Sequence, residues 1–152
     1  MKVSGADHTS YTISNLERSL AFYVGILGCE ILWQREISDE YFRKIVGFPG
    51  SVVKAAHLLI PGSGHHLELF EYVQPAGSQA DVRTNNIGSS HISFLVDDLR
   101  AAYKDLKSMG IQFRSPPVEI TSGAHQGSWG LYLLDPDGIT VELFQPSNRN
   151  LK

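Results

Sequence analysis

Residues His8-Thr9-Ser10-Tyr11-Thr12-Ile13 carry a polar and apolar alternation of period two, which suits a half-buried strand. The period then lengthens. Leu16, Leu20, Tyr23 and Leu27 fall at helical spacing and predict a helix from about Asn15 to Leu27, with Gly28 free to take a left-handed exit. Ser14-Asn15-Leu16-Glu17 has the form of a capping box, Ser14 as N-cap and Glu17 reaching back. Three strand-like runs follow at roughly 29–36, 52–60 and 65–73. The whole succession then returns. His91 to Val96 repeats the opening strand, Asp97 or Asp98 caps, Leu99, Tyr103 and Leu106 make the stripe, and Gly110 ends the helix. Strands are expected again at roughly 111–115, 129–134 and 139–145, the last two joined by the strong turn Asp135-Pro136-Asp137-Gly138.

The repetition reaches individual residues. His8 aligns with His91, Asn15-Leu16 with Asp98-Leu99, Gly28 with Gly110, and Leu67-Glu68-Leu69-Phe70 with Val141-Glu142-Leu143-Phe144. Each copy reads β-α-β-β-β, so the fold class is α+β, two tandem modules with two similar sheets. Module one spans about 5–73, a polar, glycine-bearing linker about 74–89, and module two about 90–146 of a single 1–152 domain. Residues 38–50 have no counterpart in the second copy. Within them Glu40-Tyr41-Phe42-Arg43-Lys44-Ile45-Val46 predicts a short helix, open to two readings: a lid over a pocket, or a patch on an exposed sheet face.

Composition narrows the function classes. At 152 residues, 42% hydrophobic and 19% charged, the chain can build one real core, which excludes a disordered protein. Net charge is −3, with Lys and Arg scattered, so neither a nucleic-acid stripe nor a polybasic membrane anchor is present. No apolar run approaches the roughly 20 residues of a membrane span, and residues 1–7 lack the apolar core of a secretory signal. Cys29 is the single cysteine; it forms no internal disulfide, lies among apolar neighbours as core packing, and leaves a cytoplasmic setting as the default.

A duplicated His…Glu frame has chemical meaning. Strands present alternate side chains to one face, so convergent metal ligands must come from separate elements. His8 and His91 open the two copies, and Glu68 and Glu142 stand in the closing strands. Paired symmetrically, the four can point into one cleft, a candidate site for one divalent ion such as Ni, Co, Zn, Mn or Fe(II), with positions left for water or substrate.

Asp7-His8-Thr9, Leu16-Glu17-Arg18-Ser19-Leu20-Ala21-Phe22-Tyr23 and Leu27-Gly28 resemble the opening of the vicinal oxygen chelate superfamily. That group includes glyoxalase I, methylmalonyl-CoA epimerase, extradiol dioxygenases and the bleomycin and fosfomycin resistance proteins. Gly88-Ser89-Ser90-His91-Ile92-Ser93-Phe94 and Asp135-Pro136-Asp137-Gly138-Ile139-Thr140-Val141-Glu142-Leu143 extend the resemblance over nearly the whole chain, apart from 38–50 and the tails. It implies paired βαβββ modules forming an open mixed-sheet barrel around a cleft with a divalent ion, commonly in a homodimer, acting on a small molecule. In the glyoxalase I-like branch the ligands would be His8, Glu68, His91 and Glu142. Glu142 is then the candidate base in an isomerase or lyase reaction through an enolate, with Glu68 on the opposite side. Epimerases of this group usually carry glutamine where Glu68 stands.

The segment Gly123-Ala124-His125, Leu131-Tyr132, Asp135-Pro136-Asp137-Gly138 and Glu142 also resembles the closing pattern of extradiol ring-cleaving dioxygenases. That reading implies Fe(II) on His8, His91 and Glu142, with His125 and Tyr132 orienting substrate and moving protons, and His66 as a candidate base. The chain is about half the length usual in that family, and Glu68 departs from its pattern. A third alternative is a non-catalytic, drug-sequestering protein like the bleomycin resistance members, which generally lack the metal ligands. Trp33, Phe42, Phe48 and Trp129 are candidates for pocket lining or core, and His57 and His65 read as structural or exposed.

Overall fold

The computed structural model describes residues 1–147. The chain falls into two units, Met1–Gln79 and a second beginning at Ala80. In the first, β1 (His8–Thr12) leads to α1 (Leu16–Tyr23), β2 (Glu30–Ile37), α2 (Glu40–Val46), β3 (Val52–Leu59) and β4 (His66–Gln74). The sheet order is β1-β4-β3-β2, with β1 parallel to β4 and the other pairs antiparallel. In the second unit β5 (His91–Leu95), α3 (Leu99–Ser108), β6 (Val118–Glu119), β7 (Trp129–Leu134) and β8 (Thr140–Gln145) form a sheet of order β5-β8-β7-β6, again with first and last strands parallel. The α+β class and the tandem βαβββ plan are therefore as the repeat predicts. No helix among the described residues is long and apolar enough to cross a membrane.

Strand alternation assigns the two faces of each sheet. On the first, Leu67 and Leu69 of β4, Ala56 and Leu58 of β3 and Tyr11 of β1 are buried under Leu16, Leu20 and Tyr23 of α1. A fully buried leucine contributes roughly 1.5–3 kcal/mol, so this face supplies most of the unit's cohesion. In the second unit Phe94, Leu131, Leu133, Val141 and Leu143 are buried in the same way, together with Leu99 and Leu106 of α3. The opposite faces carry the polar members, His8, Ser10 and Glu68 in one sheet and His91, Ser93 and Glu142 in the other.

Local details differ from the sequence expectations in three places. The cap of α1 is Asn15, whose side chain accepts from Arg18 N–H, while Ser14 Oγ accepts from the Arg18 guanidinium and Glu17 accepts from Gln34. α1 also ends at Tyr23, four residues early. Beyond it Gly25 and Leu27 bond back five residues, to Leu20 and Phe22, and Gly28 takes φ 75°. Gly25 lies so close to the Ala21 carbonyl that a Cβ there would clash, which is why the wider turn needs glycine. Third, 111–115 forms only a bridge, Phe113 to Leu133, and the ladder resumes as the two residues of β6. Pro116-Pro117 supplies no N–H and breaks the strand.

The 38–50 segment forms α2 at Glu40–Val46, as the pattern predicts, closed by Gly47 at φ 75°. Phe42 is buried with Ile37, Val53 and Ala55, and its ring meets Phe70 edge-on at 5.6 Å. Val53, Ala55 and Phe70 lie on the face that carries Glu68, so α2 patches one end of that face and leaves the histidine-bearing end uncovered by it.

Candidate metal and active site

Cross-strand register builds the site. In the first unit Ser10 and His57 flank Glu68 on the neighbouring strands, and His8 pairs with His66. His8 Nε2 lies 3.4 Å from Glu68 Oε2. The His8 Nδ1 atom lies 2.7 Å from Asp7 Oδ2, so a proton held there leaves the Nε2 lone pair facing Glu68. That hydrogen bond holds the Asp7 carboxyl below the usual range. In the second unit Ser93 and Tyr132 flank Glu142, and His91 Nε2 lies 3.5 Å from Glu142 Oε2. The two halves thus present the same His–Glu pair at the same register and nearly the same spacing. Ser90 occupies the position matching Asp7.

Donor atoms each about 2.1 Å from one ion and set at a tetrahedral angle lie about 3.4 Å apart. Within each pair the two donors are spaced as ligands of one ion would be, and imidazole with carboxylate suits borderline divalent metals. Each pair supplies two donors, and no group of three or more His, Cys, Asp or Glu side chains is gathered for an ion among the described residues.

Around each pair the walls differ. Tyr132 packs against His91, ring centroids 5.1 Å apart, and its hydroxyl is held protonated above the ordinary range by burial and then by the charge of Glu142. His125, in the loop before β7, meets the Phe144 ring edge-on at 5.3 Å. Phe144 is two residues from Glu142 on the same strand face, so His125 reaches that face through the Phe144 ring. In the first unit His57, read from sequence as structural or exposed, stands on the site face, its side chain only 12% exposed and its Nδ1 3.7 Å from Glu68 Oε1. His66 shares that face, its ring 4.8 Å from His57. His65 bonds Thr9 Oγ1 at 2.9 Å and is structural. Trp33 stacks on His57, whereas Trp129 lies on the helix face of its sheet beneath the Arg100 guanidinium.

His57 was hidden because its counterpart by register is Tyr132: both stand opposite the glutamate, but the residues differ, so aligning the copies cannot pair them. Asp7 was legible in principle, as a carboxylate next to a candidate ligand.

Residues 5–143 match the Glyoxalase/Bleomycin resistance protein/Dioxygenase superfamily. The chain belongs to that superfamily. Among glyoxalase-superfamily relatives, a 2-epi-5-epi-valiolone epimerase from Actinomyces sp is 25% identical over 139 residues, covering 90% of this chain and 76% of its own. A lactoylglutathione lyase from Arabidopsis thaliana is also 25% identical, across 91% of this chain but only 43% of its own length. Among solved folds, a glyoxalase family protein from Bacillus cereus superposes with a TM-score of 0.82 at 20% identity, covering 97% of both chains. The fosfomycin resistance protein FosX from Listeria monocytogenes, solved with Mn(II) and sulfate, gives 0.64 at 20% identity, again over 97% of both. Low identity limits these two likenesses to the fold, and the fold agrees with the paired-module expectation.

Proposed function

We propose that the chain is a cytoplasmic, homodimeric, divalent-metal-dependent isomerase or lyase that acts on a small substrate with adjacent oxygens by moving a proton at carbon. The observation that carries this reading is the repeated His–Glu pair, 3.4 Å and 3.5 Å apart at matched register positions. The epimerase and lyase named among its relatives support the reaction class. His8, Glu68, His91 and Glu142 are the metal ligands of this proposal. When bound, a divalent ion supplies a Lewis acid that holds the substrate's adjacent oxygens and lowers the cost of negative charge on them. Glu142 removes the proton and Glu68 serves as its counterpart. Tyr132, kept protonated beside Glu142, donates a hydrogen bond, and His125 orients the substrate.

The test uses 2-epi-5-epi-valiolone and lactoylglutathione as probes with metal-loaded protein in D2O. Deuterium entering a carbon position of either probe, and its loss in Glu142→Gln, is the expected result. Turnover of a probe without deuterium entry argues against proton transfer at carbon. Sedimentation velocity measures the expected dimer.

One observation favours a second reading. Tyr132 packs on His91 on the face of Glu142, and His125 touches Phe144 of that face, which supports the orienting roles that an Fe(II) ring-cleaving dioxygenase reading gives them. Oxygen uptake that needs both Fe(II) and a catechol would favour it, and none across a broad catechol panel removes it.

A further inference from the structure

The two glutamates, alike in sequence setting, are held differently. Glu68 Oε2 faces His8 Nε2 at 3.4 Å, and its other oxygen, Oε1, faces His57 Nδ1 at 3.7 Å. Glu142 Oε2 faces His91 likewise, but its Oε1 looks toward Gly130, where an added Cβ would sit 3.7 Å away. Ala55 is the register equivalent of Gly130 in the first sheet.

His57 is fixed from several sides. Its ring lies flat on Trp33, 5.4 Å between centroids at 10°, with His66 edge-on at 4.8 Å and His8 at 5.7 Å. Among the described residues its buried Nδ1 has no hydrogen-bond partner, and a buried polar atom left so is costly. At 3.7 Å the atom is just outside hydrogen-bond range of Glu68 Oε1, a gap that a small carboxylate rotation closes.

We propose that His57 is a positioning residue: with its proton on Nδ1 it donates to Glu68 Oε1 and fixes Glu68 as a one-oxygen ligand through Oε2. Glu142 also faces an imidazole through Oε2, but its Oε1 meets no second one: Gly130 stands there, Tyr132 takes the register position of His57, and this carboxylate is the one left to turn as a base. This assignment rests on the reading of Glu68 as a metal ligand.

Co(II) titration of the metal-free full chain, followed by its visible spectrum, tests it in wild type, Glu68→Ala, His57→Phe and His57→Asn. Phenylalanine keeps the stacking on Trp33 without a donor; asparagine restores a donor near Nδ1. The expected result is that His57→Phe weakens Co(II) binding about 10–100-fold and shifts the spectrum, as loss of a partner behind a ligand does. His57→Asn should recover most of both. If Glu68→Ala weakens binding while both His57 variants match wild type, the positioning role is overturned and the ligand assignment stands. If both His57 variants weaken binding equally, donation is not the cause and the role is again overturned. Unchanged binding in Glu68→Ala overturns the ligand assignment and this inference with it.

Discussion

Cys29 is 2% exposed, and burial pushes its thiol up from about 9 to about 11. A thiolate is the reactive form, so alkylation by iodoacetamide at pH 8 should be slow in the native protein and fast in denaturant. Equal rates would show that the site opens readily. The sign of the pH effect follows. The raised value means the contribution is present below about pH 9, where folded and unfolded chains both hold the proton. Between about 9 and 11 the unfolded chain loses it first, so stability measured by urea melts should fall across that window. Single residues were also where the sequence was least legible. Ser14 and Asn15 are both good caps, and only the backbone, extended at Asn15, decides between them. Asp98 resolves the same ambiguity in the second copy by accepting from Arg100 and Ala101.

At the level of elements, the closing strand of each unit fastens the start of its helix. Glu71 Oε2 accepts from Leu16 N–H at 2.7 Å, and Gln145 Oε1 accepts from Leu99 N–H at 2.9 Å. These are first-turn amides that the helix itself cannot satisfy. Glu71 also meets Lys54 at 3.2 Å. Glu71→Ala should cost about 1.5–3 kcal/mol in urea unfolding, whereas Glu71→Gln, keeping an acceptor as Gln145 does, should lose less. A smaller loss for alanine than for glutamine would discard the fastening role. Phe42 tests the inserted helix: Phe42→Ala should destabilise by about 3–5 kcal/mol, because its ring fills the cluster with Val53 and Phe70. A mobile lid would lose far less. Periodicity revealed these helices because one face of each is apolar. It did not reveal the break at Pro116-Pro117, because a short apolar run such as Ile111 to Phe113 reads as strand whether or not its neighbours can pair.

For the whole chain, duplication made the architecture readable: one pattern seen twice fixes the order of elements far better than either copy alone. It also set the limit on reading the site, since residues that differ between copies, such as His57 and Tyr132, are matched only by strand pairing. Each unit holds one His–Glu pair, and the proposed function assigns all four residues to a single ion. The expected stoichiometry is therefore one divalent ion per chain, measured by elemental analysis after equilibration with Co(II). His8→Ala and His91→Ala should each lower affinity, and two ions per chain would mean that the pairs act separately.

The two sheets end unlike one another. β6 closes the second with two residues behind a pair of prolines, a stub too short to template another chain. β2 closes the first with eight, including exposed Ile31 and Leu32, and the charges Glu30, Arg35 and Glu36 are what guard it. Should the protein aggregate on storage or mild heating, β2 is the seam along which fibrils would begin, and neutralising those three charges would hasten it.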